Sequence, residues 1–342
     1  MAPYRRGKEG VCMTIREFAM QCGVSPATVS RYFSGQGGIS KEKRLQIEKH
    51  VRKTGYHPPR SYRTRRKGND TIVVLLPHFH HTFFADMTEE LCAQADQLKK
   101  KLVFLIMDDE MPQNTLSLIQ QFTPAGIILL HESTEDPISD ALSRQSIPIV
   151  VCGALPVGRR FSSVHIDDMM AAYDGMNFLI EMGHRSIGIL SDNSRAISSG
   201  FQRITGCRKA MDDAGLALSD GQIVHCGMTF EDGYTGAAQL ARQMPEITAI
   251  FAFSDDTAAG AIAWMQDNGR HVPEDISVLG FDDNSLAEKI RPRLTTIHQP
   301  FALIAAKSIE RLLDIEDVQD IASFTLMYEI AERESCCPPR RL

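Results

Sequence analysis

The sequence has no apolar run long enough to cross a membrane. A spanning helix needs about 20 consecutive apolar residues, and no such run occurs among the 342 residues. The first ten residues carry charge but no apolar stretch of the kind that marks a secretory signal. Eight cysteines are present, but none stands in a CxxC pair or at the spacing of a Cys/His metal site. We therefore expect a protein of the reducing cytoplasm, in which Cys336 and Cys337 are ordinary thiols.

The motifs of common enzyme classes are also missing. The sequence has no GxGxxG or GxxxxGK[ST] phosphate loop, and no serine or cysteine sits in a nucleophile elbow. Paired aspartates could do acid–base work, but a role as acceptors for hydroxyl groups explains them better. We expect neither an enzyme nor a bound cofactor. The histidines that could hold a metal lack companion ligands at metal spacing, namely His165, His184, His225 and His298.

Positive charge is concentrated in the first fifth of the chain. Residues 1–68 contain 16 Lys and Arg against four Asp and Glu, whereas the whole chain has a formal net charge of −6. The remaining residues are therefore strongly acidic. A basic head on an acidic body is the charge distribution of a nucleic-acid-binding protein with a separate regulatory part.

Residues 14–33 predict two short helices joined by a tight turn. Thr14 and Glu17 have the spacing of a capping box, and Gly23 suits the left-handed end of the first helix. Ser25 is a good N-cap for the second helix. This pattern is typical of a helix-turn-helix, whose second helix enters the DNA major groove. The predicted DNA contacts in this segment are Thr14, Ser25, Pro26, Ala27, Thr28, Ser30 and Arg31.

Helical periodicity also predicts the core of this head. A third helix is expected to begin after Ser40 and to end near Gly55. Its basic side chains are expected to face solvent or phosphates rather than bases. The apolar side chains expected to point inward from the three helices are Ile15, Phe18, Ala19, Cys22, Val29, Phe33, Leu45, Ile47 and Val51.

The motif Gly-Val-Ser-x-x-Thr-Val-Ser-Arg at residues 23–31, followed by Gly-Tyr-x-Pro at residues 55–58, resembles the lac-repressor (LacI/GalR) family of bacterial transcription regulators. The resemblance extends over nearly the whole chain. It implies a regulator, most often a repressor, that binds double-stranded operator DNA under the control of a small effector. The implied fold is a small all-α head with a helix-turn-helix (residues 13–57), a basic hinge (58–69), and a two-lobed, doubly wound α/β domain like that of periplasmic binding proteins (70–338).

The assembly can also be predicted. Regulators with a helix-turn-helix use two heads that lie about one DNA turn or more apart. Residues 334–342 contain no leucine heptad, unlike the tetramerising tail of some relatives. We therefore expect a homodimer formed through the lobes, with no membrane partner, in the cytoplasm at the nucleoid.

The connector, residues 57–69, carries two prolines and five basic residues. This composition argues against a stable helix in the free chain. In the family, the connector becomes a hinge helix on operator DNA and inserts a leucine into the minor groove. Here Arg65 stands at the leucine position and Tyr62 where a small residue is usual. Arg63 and Arg65 are candidate DNA contacts, because an arginine can enter a narrow minor groove by its charge; a linker that touches only phosphates remains the alternative.

From residue 71 onward, short β-branched runs alternate with helical patterns. Such runs indicate parallel strands covered on both faces. Two series of them predict two doubly wound lobes, with a ligand between them at the carboxyl ends of the strands. The strands are expected at residues 71–76, 102–107, 126–130, 147–152, 186–190, 222–226, 248–253 and 276–281. The expected lobes are residues 70–163 with 296–324 (lobe 1) and 164–295 with 325–338 (lobe 2).

Candidate effector contacts follow the predicted strands. Phe83 and Phe84 open the helix after the first strand, where the family presents an aromatic side chain to the ligand. The chain is expected to pass from lobe 1 to lobe 2 near residues 162–165. After this first crossing, Asp167 is expected to reach the ligand and Asp168 to cap the next helix. Arg203 stands where the family has a ligand-clamping arginine.

Two more aspartate pairs follow strands of the second series. Asp255 and Asp282 match ligand contacts of the family, whereas Asp256 and Asp283 are expected to cap helices. Many sugar-responsive relatives stack an aromatic side chain on the sugar ring at a position that holds Met228 here. The expected effector is a small polar molecule, a carbohydrate in the first instance. A nucleoside, an organic acid or a protein co-regulator remains open.

Overall fold

The computed structural model of the protein describes residues 15–33, 39–54, 70–108, 110–130, 137–156, 160–192 and 199–340. The chain forms two compact units, Met1–Asn69 and Asp70–Leu342. Three of the candidate DNA contacts, Thr14, Arg63 and Arg65, lie outside the described residues. Within the described ranges, no helix is long and apolar enough to cross a membrane.

The head contains three helices, α1 (Ile15–Gln21), α2 (Pro26–Phe33) and α3 (Lys41–Thr54). Gly23 lies between the first two with a φ of +64°, the left-handed conformation in which glycine has no Cβ penalty. The side chains buried completely in this small core are Phe18, Ala19, Cys22, Val29 and Ile47.

One of the expected core residues of the head is wrong. Leu45 is 64% exposed, whereas Val51 packs against the core formed around Ile47. Ile47 and Val51 are four residues apart and share a face of α3, while Leu45 is two residues from Ile47 and points about 200° away. The side chains of Ile15 and Phe33 lie outside the described part of the chain.

The second unit consists of two lobes, which confirms the predicted fold class. Lobe 1 contains β1 (Thr71–Leu76), α4 (Thr82–Gln97), β2 (Lys101–Ile106), α5 (Pro112–Phe122), β3 (Gly126–Leu129), α6 (Pro137–Ser143), β4 (Ile149–Cys152), β5 (Ser162–Ile166), and later α11 (Phe301–Asp314) and β11 (Ser323–Leu326). Lobe 2 contains α7 (Asp168–Glu181), β6 (Ile187–Ser191), α8 (Ser199–Asp213), β7 (Ile223–His225), α9 (Phe230–Gln243), β8 (Ala249–Ala252), α10 (Asp255–Asp267), β9 (Ser277–Asp282), β10 (Thr295–His298) and β12 (Glu329–Ala331).

Each lobe is a sheet with helices on both faces. The strand orders are β11-β5-β4-β3-β1-β2 in lobe 1 and β12-β10-β9-β8-β6-β7 in lobe 2. Within the described residues all neighbouring strands run parallel, except β12, which is antiparallel to β10. In lobe 1, even-numbered side chains of β1 pack toward α4 and α11, and odd-numbered ones toward α5 and α6. Burial on both faces explains why these strands read as continuous apolar runs.

The chain crosses between the lobes after Ile166, after His298 and after Leu326. The expected boundaries lie a few residues too early. The reason is that β5, β10 and β11 each stay paired to their last residue in the sheet of the lobe that the chain is leaving.

The helix pair α7–α8 packs closely at Gly206, and this contact can be tested. A Cβ on Gly206 would clash with the carbonyl oxygen of Met169, whereas a Cβ on Gly221 would meet its nearest neighbour at 3.9 Å. We expect Gly206→Ala to lower the free energy of unfolding by about 1–3 kcal/mol, because backbone has to move apart. Urea unfolding followed by circular dichroism measures this change.

Gly221→Ala is the matched control and should leave the midpoint of the urea transition nearly unchanged. Equal midpoints for the two variants would contradict the close approach of α7 and α8.

Candidate functional site

The exposed face of α2 is the candidate DNA-reading surface. The hydroxyl group of Ser25 accepts a hydrogen bond from the backbone N–H of Thr28 at 3.1 Å, as an N-cap does. The Thr28 side chain is half-buried, and Ser30 lies on the helix with its side chain outside the described residues. The side chains that α2 and its cap expose to solvent include Ser25, Pro26, Ala27 and Arg31.

A narrow cleft separates the two lobes at the carboxyl ends of their strands. Its volume is about 20 Å³, which is room for about one water molecule. The lobes are therefore closed on each other. Four of the predicted effector contacts line this cleft: Phe83, Phe84, Arg203 and Asp282.

Arg203, on α8, is buried in the cleft wall with 4% exposure. Its Nε donates a hydrogen bond to Oδ1 of Asp168 at 2.8 Å, and its Nη2 lies 2.8 Å from the same oxygen. Its Nη1 donates to the backbone carbonyl of Phe253 at 2.5 Å. The guanidinium carbon lies 3.5 Å from the centroid of the Phe281 ring. A buried cation requires such compensation, and these contacts fix the orientation of the guanidinium.

Asp282 ends β9 with a φ of +118°, a strained conformation for a residue with a side chain and one often found at ligand sites. The carboxyl group is buried, and its Oδ1 accepts a hydrogen bond from Nε2 of Gln299 at 2.8 Å. Burial raises the pKa of Asp282 well above its usual range, and the positive charge of Arg203 offsets this in part. A ligand hydroxyl that donates to this carboxylate would stabilise its charged form.

The helix cap expected of Asp168 is made by Asp167 instead. Asp167 caps α7, because its Oδ1 accepts a hydrogen bond from the backbone N–H of Met170 at 3.0 Å. Asp168 is the first residue of the helix and is buried against Arg203. Its Oδ2 is a buried oxygen with no hydrogen-bond partner among the described residues. The carboxylate nearer to the cleft arginine is therefore Asp168.

Asp255 does not line the cleft, contrary to expectation. Its side chain is completely buried within lobe 2. Oδ2 accepts a hydrogen bond from the backbone N–H of Asn284 at 2.8 Å, and Oδ1 accepts one from the Thr296 hydroxyl at 2.6 Å. Asp255 thus holds the loop after β9 against β10, and its role is within the lobe.

Asp256 makes contacts across the cleft instead of capping a helix, and Ser254 is the N-cap of α10. Oδ1 of Asp256 accepts a hydrogen bond from the hydroxyl group of Thr82 in lobe 1 at 2.7 Å. Its Oδ2 lies 3.8 Å from Nε2 of His81, also in lobe 1. Burial lowers the pKa of His81, and the charge of Asp256 opposes that shift. Asp256 therefore joins the lobes in their closed arrangement.

The expected cap Asp283 also has another role. Its carboxylate lies 2.7 Å from Nη1 of Arg333 and 2.9 Å from Nδ1 of His298. The hydrogen bond that Nδ1 of His298 donates to Asp283 raises the pKa of His298. These contacts tie the loop after β9 to the end of β10 and to the segment after β12.

Both aromatic residues at the start of α4 line the cleft and also pack against the lobe 1 core. Phe84 is 5% exposed and packs in the lobe 1 core. The ring of Phe83 packs on Gly153, where a Cβ would come within 2.9 Å of it, and meets the Phe301 ring edge-on at 5.3 Å between centroids. Gly153, with a φ of +88°, leaves the space that Phe83 fills.

His81 and Gln299 are among the cleft-lining residues that the sequence analysis did not name. His81 precedes α4 and caps it through Nδ1, which accepts from the Phe83 N–H at 3.3 Å. Gln299 follows β10, and its Oε1 is buried without a hydrogen-bond partner among the described residues. Both residues follow a strand of one of the two sheets, as Phe83 and Asp255 do. Met228, which was noted in the sequence, also lines the cleft.

Comparison with known proteins gives the same picture of the two units. Residues 14–59 match the model described as bacterial regulatory proteins, lacI family, and residues 176–336 match the periplasmic binding protein-like domain. The structure of the transcriptional regulator CelR–cellobiose complex has a similar fold, with a TM-score of 0.71 at 24% identity. The match covers 94% of this chain and 99% of the CelR chain.

Two curated relatives are regulators of transcription. The NTD biosynthesis operon regulator NtdR of Bacillus subtilis (strain 168) is 31% identical over 305 residues, which are 88% of this chain and 92% of that protein. The HTH-type transcriptional repressor CytR of Escherichia coli (strain K12) is 29% identical over 332 residues, covering 92% and 93% of the two chains. These relatives confirm a regulator rather than an enzyme: the chain belongs to the lacI family of bacterial regulatory proteins.

Proposed function

We propose that this DNA-binding regulator is a repressor and that a small polar effector, a sugar or sugar derivative, controls its affinity for operator DNA from the cleft between the lobes. The observation that carries the proposal is the buried pair Arg203 and Asp282, both lining that cleft. A carboxylate accepts hydrogen bonds from hydroxyl groups, and a guanidinium donates to them. The relative named a repressor and the fold neighbour bound to cellobiose support this proposal.

A nucleoside is the second candidate effector, and Met228 favours it. Where an aromatic side chain would stack on a sugar ring, the cleft has a thioether. Methionine sulfur packs well against aromatic rings and adapts to their shape. An organic acid would meet in Arg203 a cation that is already paired with the buried Asp168, and a protein co-regulator has no observation in its favour.

Effector binding requires the closed lobes to separate, because the cleft has room for only about one water molecule. The contacts of Asp256 with Thr82 and His81 must then break and form again around the ligand. The lobes are joined by three crossings, so closure can change their relative angle as a rigid-body movement.

We propose that this change of angle reaches the DNA through a homodimer formed by the lobes. The basic connector precedes β1 of lobe 1 directly in sequence. A rotation of lobe 1 would therefore change the spacing of the two connectors of a dimer. The regulator would act in the cytoplasm, at the nucleoid, where its operator is.

Arg31 is the proposed reader of base sequence, and Arg31→Ala tests this role. An arginine that pairs with both acceptors of a guanine contributes about 1–3 kcal/mol of discrimination. Pro26 and Ala27 would make apolar contacts with thymine methyl groups. We expect binding-site selection with Arg31→Ala to show a relaxed preference at one base pair in each half-site. An unchanged motif would refute the assignment.

Arg65→Leu is the contrasting variant. A connector that contacts DNA by charge should lose about one unit of slope in a log–log plot of affinity against salt when Arg65 is replaced. The selected base motif should stay the same. An unchanged slope would mean that Arg65 does not contact DNA and that the connector is a tether.

Asp282→Ala is the variant that tests the effector site. Truncation of one partner in a buried charged hydrogen bond costs about 2–5 kcal/mol. A screen of sugars, polyols and nucleosides by thermal shift should therefore produce a hit that both Asp282→Ala and Arg203→Ala abolish. Hits that are insensitive to both substitutions would place the effector site elsewhere.

Asp282→Asn separates binding from folding. Because the folded-state pKa of Asp282 is raised, the wild type loses stability as the pH rises from the ordinary aspartate value of 3.8 through the folded pKa. Asp282→Asn lacks this loss. We expect a higher Tm than wild type at pH 7, with a gain that disappears toward pH 4. A lower Tm at pH 7 would show that the carboxylate stabilises the fold.

A further inference from the structure

A second cavity, here called the hinge-flank cavity, opens beside the strands that cross between the lobes. One wall is formed by β5 and β11, and the opposite wall by α8 of lobe 2. Its volume is about 550 Å³, within the range of roughly 300–1,000 Å³ that is usual for small-molecule sites. None of its described lining residues also lines the cleft. It is therefore a separate space, and the effector proposal does not use it.

A chain of three hydrogen-bonding side chains lies along the β5–β11 wall. Nδ1 of His165 lies 2.6 Å from the carbonyl oxygen of Ile166. Nδ1 must carry the hydrogen, because a carbonyl can only accept. In the neutral ring, Nε2 then accepts from the Ser323 hydroxyl at 3.0 Å, and Ser323 accepts from the Ser163 hydroxyl at 2.8 Å. His165 and Ser163 are buried polar side chains, so this wall is built into the fold.

This arrangement uses the hydroxyl hydrogens of Ser163 and Ser323 within the chain, so these two groups offer a ligand oxygen lone pairs. Asp167, which caps α7 through Oδ1, adds a carboxylate to the same cavity. Gln202 and Thr325 also line the cavity and can both donate and accept. A bound molecule would therefore supply hydrogens to the serine oxygens and to Asp167.

The charges of the described lining residues disfavour an anionic ligand. Among the described residues that line it, His165 and Asp167 are the ionisable ones, and no lysine or arginine is present. A phosphate or carboxylate group would meet Asp167 without a compensating cation, and burial of such a charge is costly.

Apolar side chains complete the cavity at its rim. Phe201 on α8 is 52% exposed, Met169 is 41% exposed, and Ile321 before β11 is 43% exposed. Large apolar side chains grouped around a polar wall are typical of ligand sites. A ligand with one apolar face would remove this surface from water.

We propose that the hinge-flank cavity is a second small-molecule site of this regulator. It takes an uncharged or positively charged compound with several hydroxyl or amine N–H donors and one apolar face, which is the chemistry of an unphosphorylated sugar, an amino sugar or a nucleoside. Since its two walls belong to different lobes, the bound compound fixes the angle between them.

The test uses the full-length protein and isothermal titration with matched compounds. The panel contains glucose, ribose, glucosamine and adenosine, each beside its phosphorylated form. Thr205→Trp fills the cavity from α8, and Asp212→Trp places the same side chain on an exposed position of that helix. Asp282→Ala reports on the cleft. Ser163→Val, which removes an acceptor, replaces Thr205→Trp if that variant does not fold.

At least one unphosphorylated compound should bind about tenfold or more weakly to Thr205→Trp, a change of about 1.4 kcal/mol. Its affinity should be unchanged in Asp212→Trp and in Asp282→Ala, and its phosphorylated form should bind more weakly. Binding that only Asp282→Ala abolishes would leave the cleft proposal intact and overturn the second site. No compound sensitive to Thr205→Trp, or equal binding of the phosphorylated form, would also overturn it.

Discussion

The buried positive charge of Arg203 is the constraint on which the regulatory domain depends. A guanidinium without water must be surrounded by acceptors and a π face, and here these come from three elements of lobe 2. Asp168 begins α7, Phe253 follows β8, and Phe281 belongs to β9. The contacts that hold the helices on this sheet also aim the arginine into the cleft. The same contacts therefore stabilise lobe 2 and orient Arg203 in the cleft.

The aspartates near Arg203 have three different environments: within lobe 2, across the cleft, and facing the cleft. Asp255 fixes the loop after β9 within lobe 2, Asp256 contacts Thr82 across the cleft, and Asp282 faces the space between the lobes. Burial raises the pKa of both Asp255 and Asp282. Charging such a buried carboxyl group costs stability; Asp255 offsets this cost with hydrogen bonds within lobe 2, whereas Asp282 lines the cleft. The hinge-flank cavity lies outside this set and would act on the lobe angle directly.

The sequence predicts the architecture well because burial on both faces produces continuous apolar strands, such as β1 and β9. Of the residues expected after strands, Phe83, Phe84 and Asp282 line the cleft, whereas Asp255 does not. It could not assign adjacent aspartates, because consecutive residues at a helix start point about 100° apart, and small changes in strand direction decide which one faces the cleft. The cap of α7 is an example: it was expected of Asp168 and is made by Asp167, while Asp168 pairs with Arg203. Leu45 shows the same limit in the head, where one wrong face on α3 exposes a side chain expected inside.

We propose that the cleft and the DNA-binding head share one conformational equilibrium. Linkage requires that an effector which changes operator affinity by some factor has its own affinity changed by operator DNA by the same factor, typically about 5- to 150-fold. The direct measurement is calorimetric titration of the protein with the compound selected by the thermal-shift screen, and of the protein with operator DNA, each with and without the other ligand at saturation. We predict equal factors in the two directions. An effector affinity that operator DNA leaves unchanged would contradict the account.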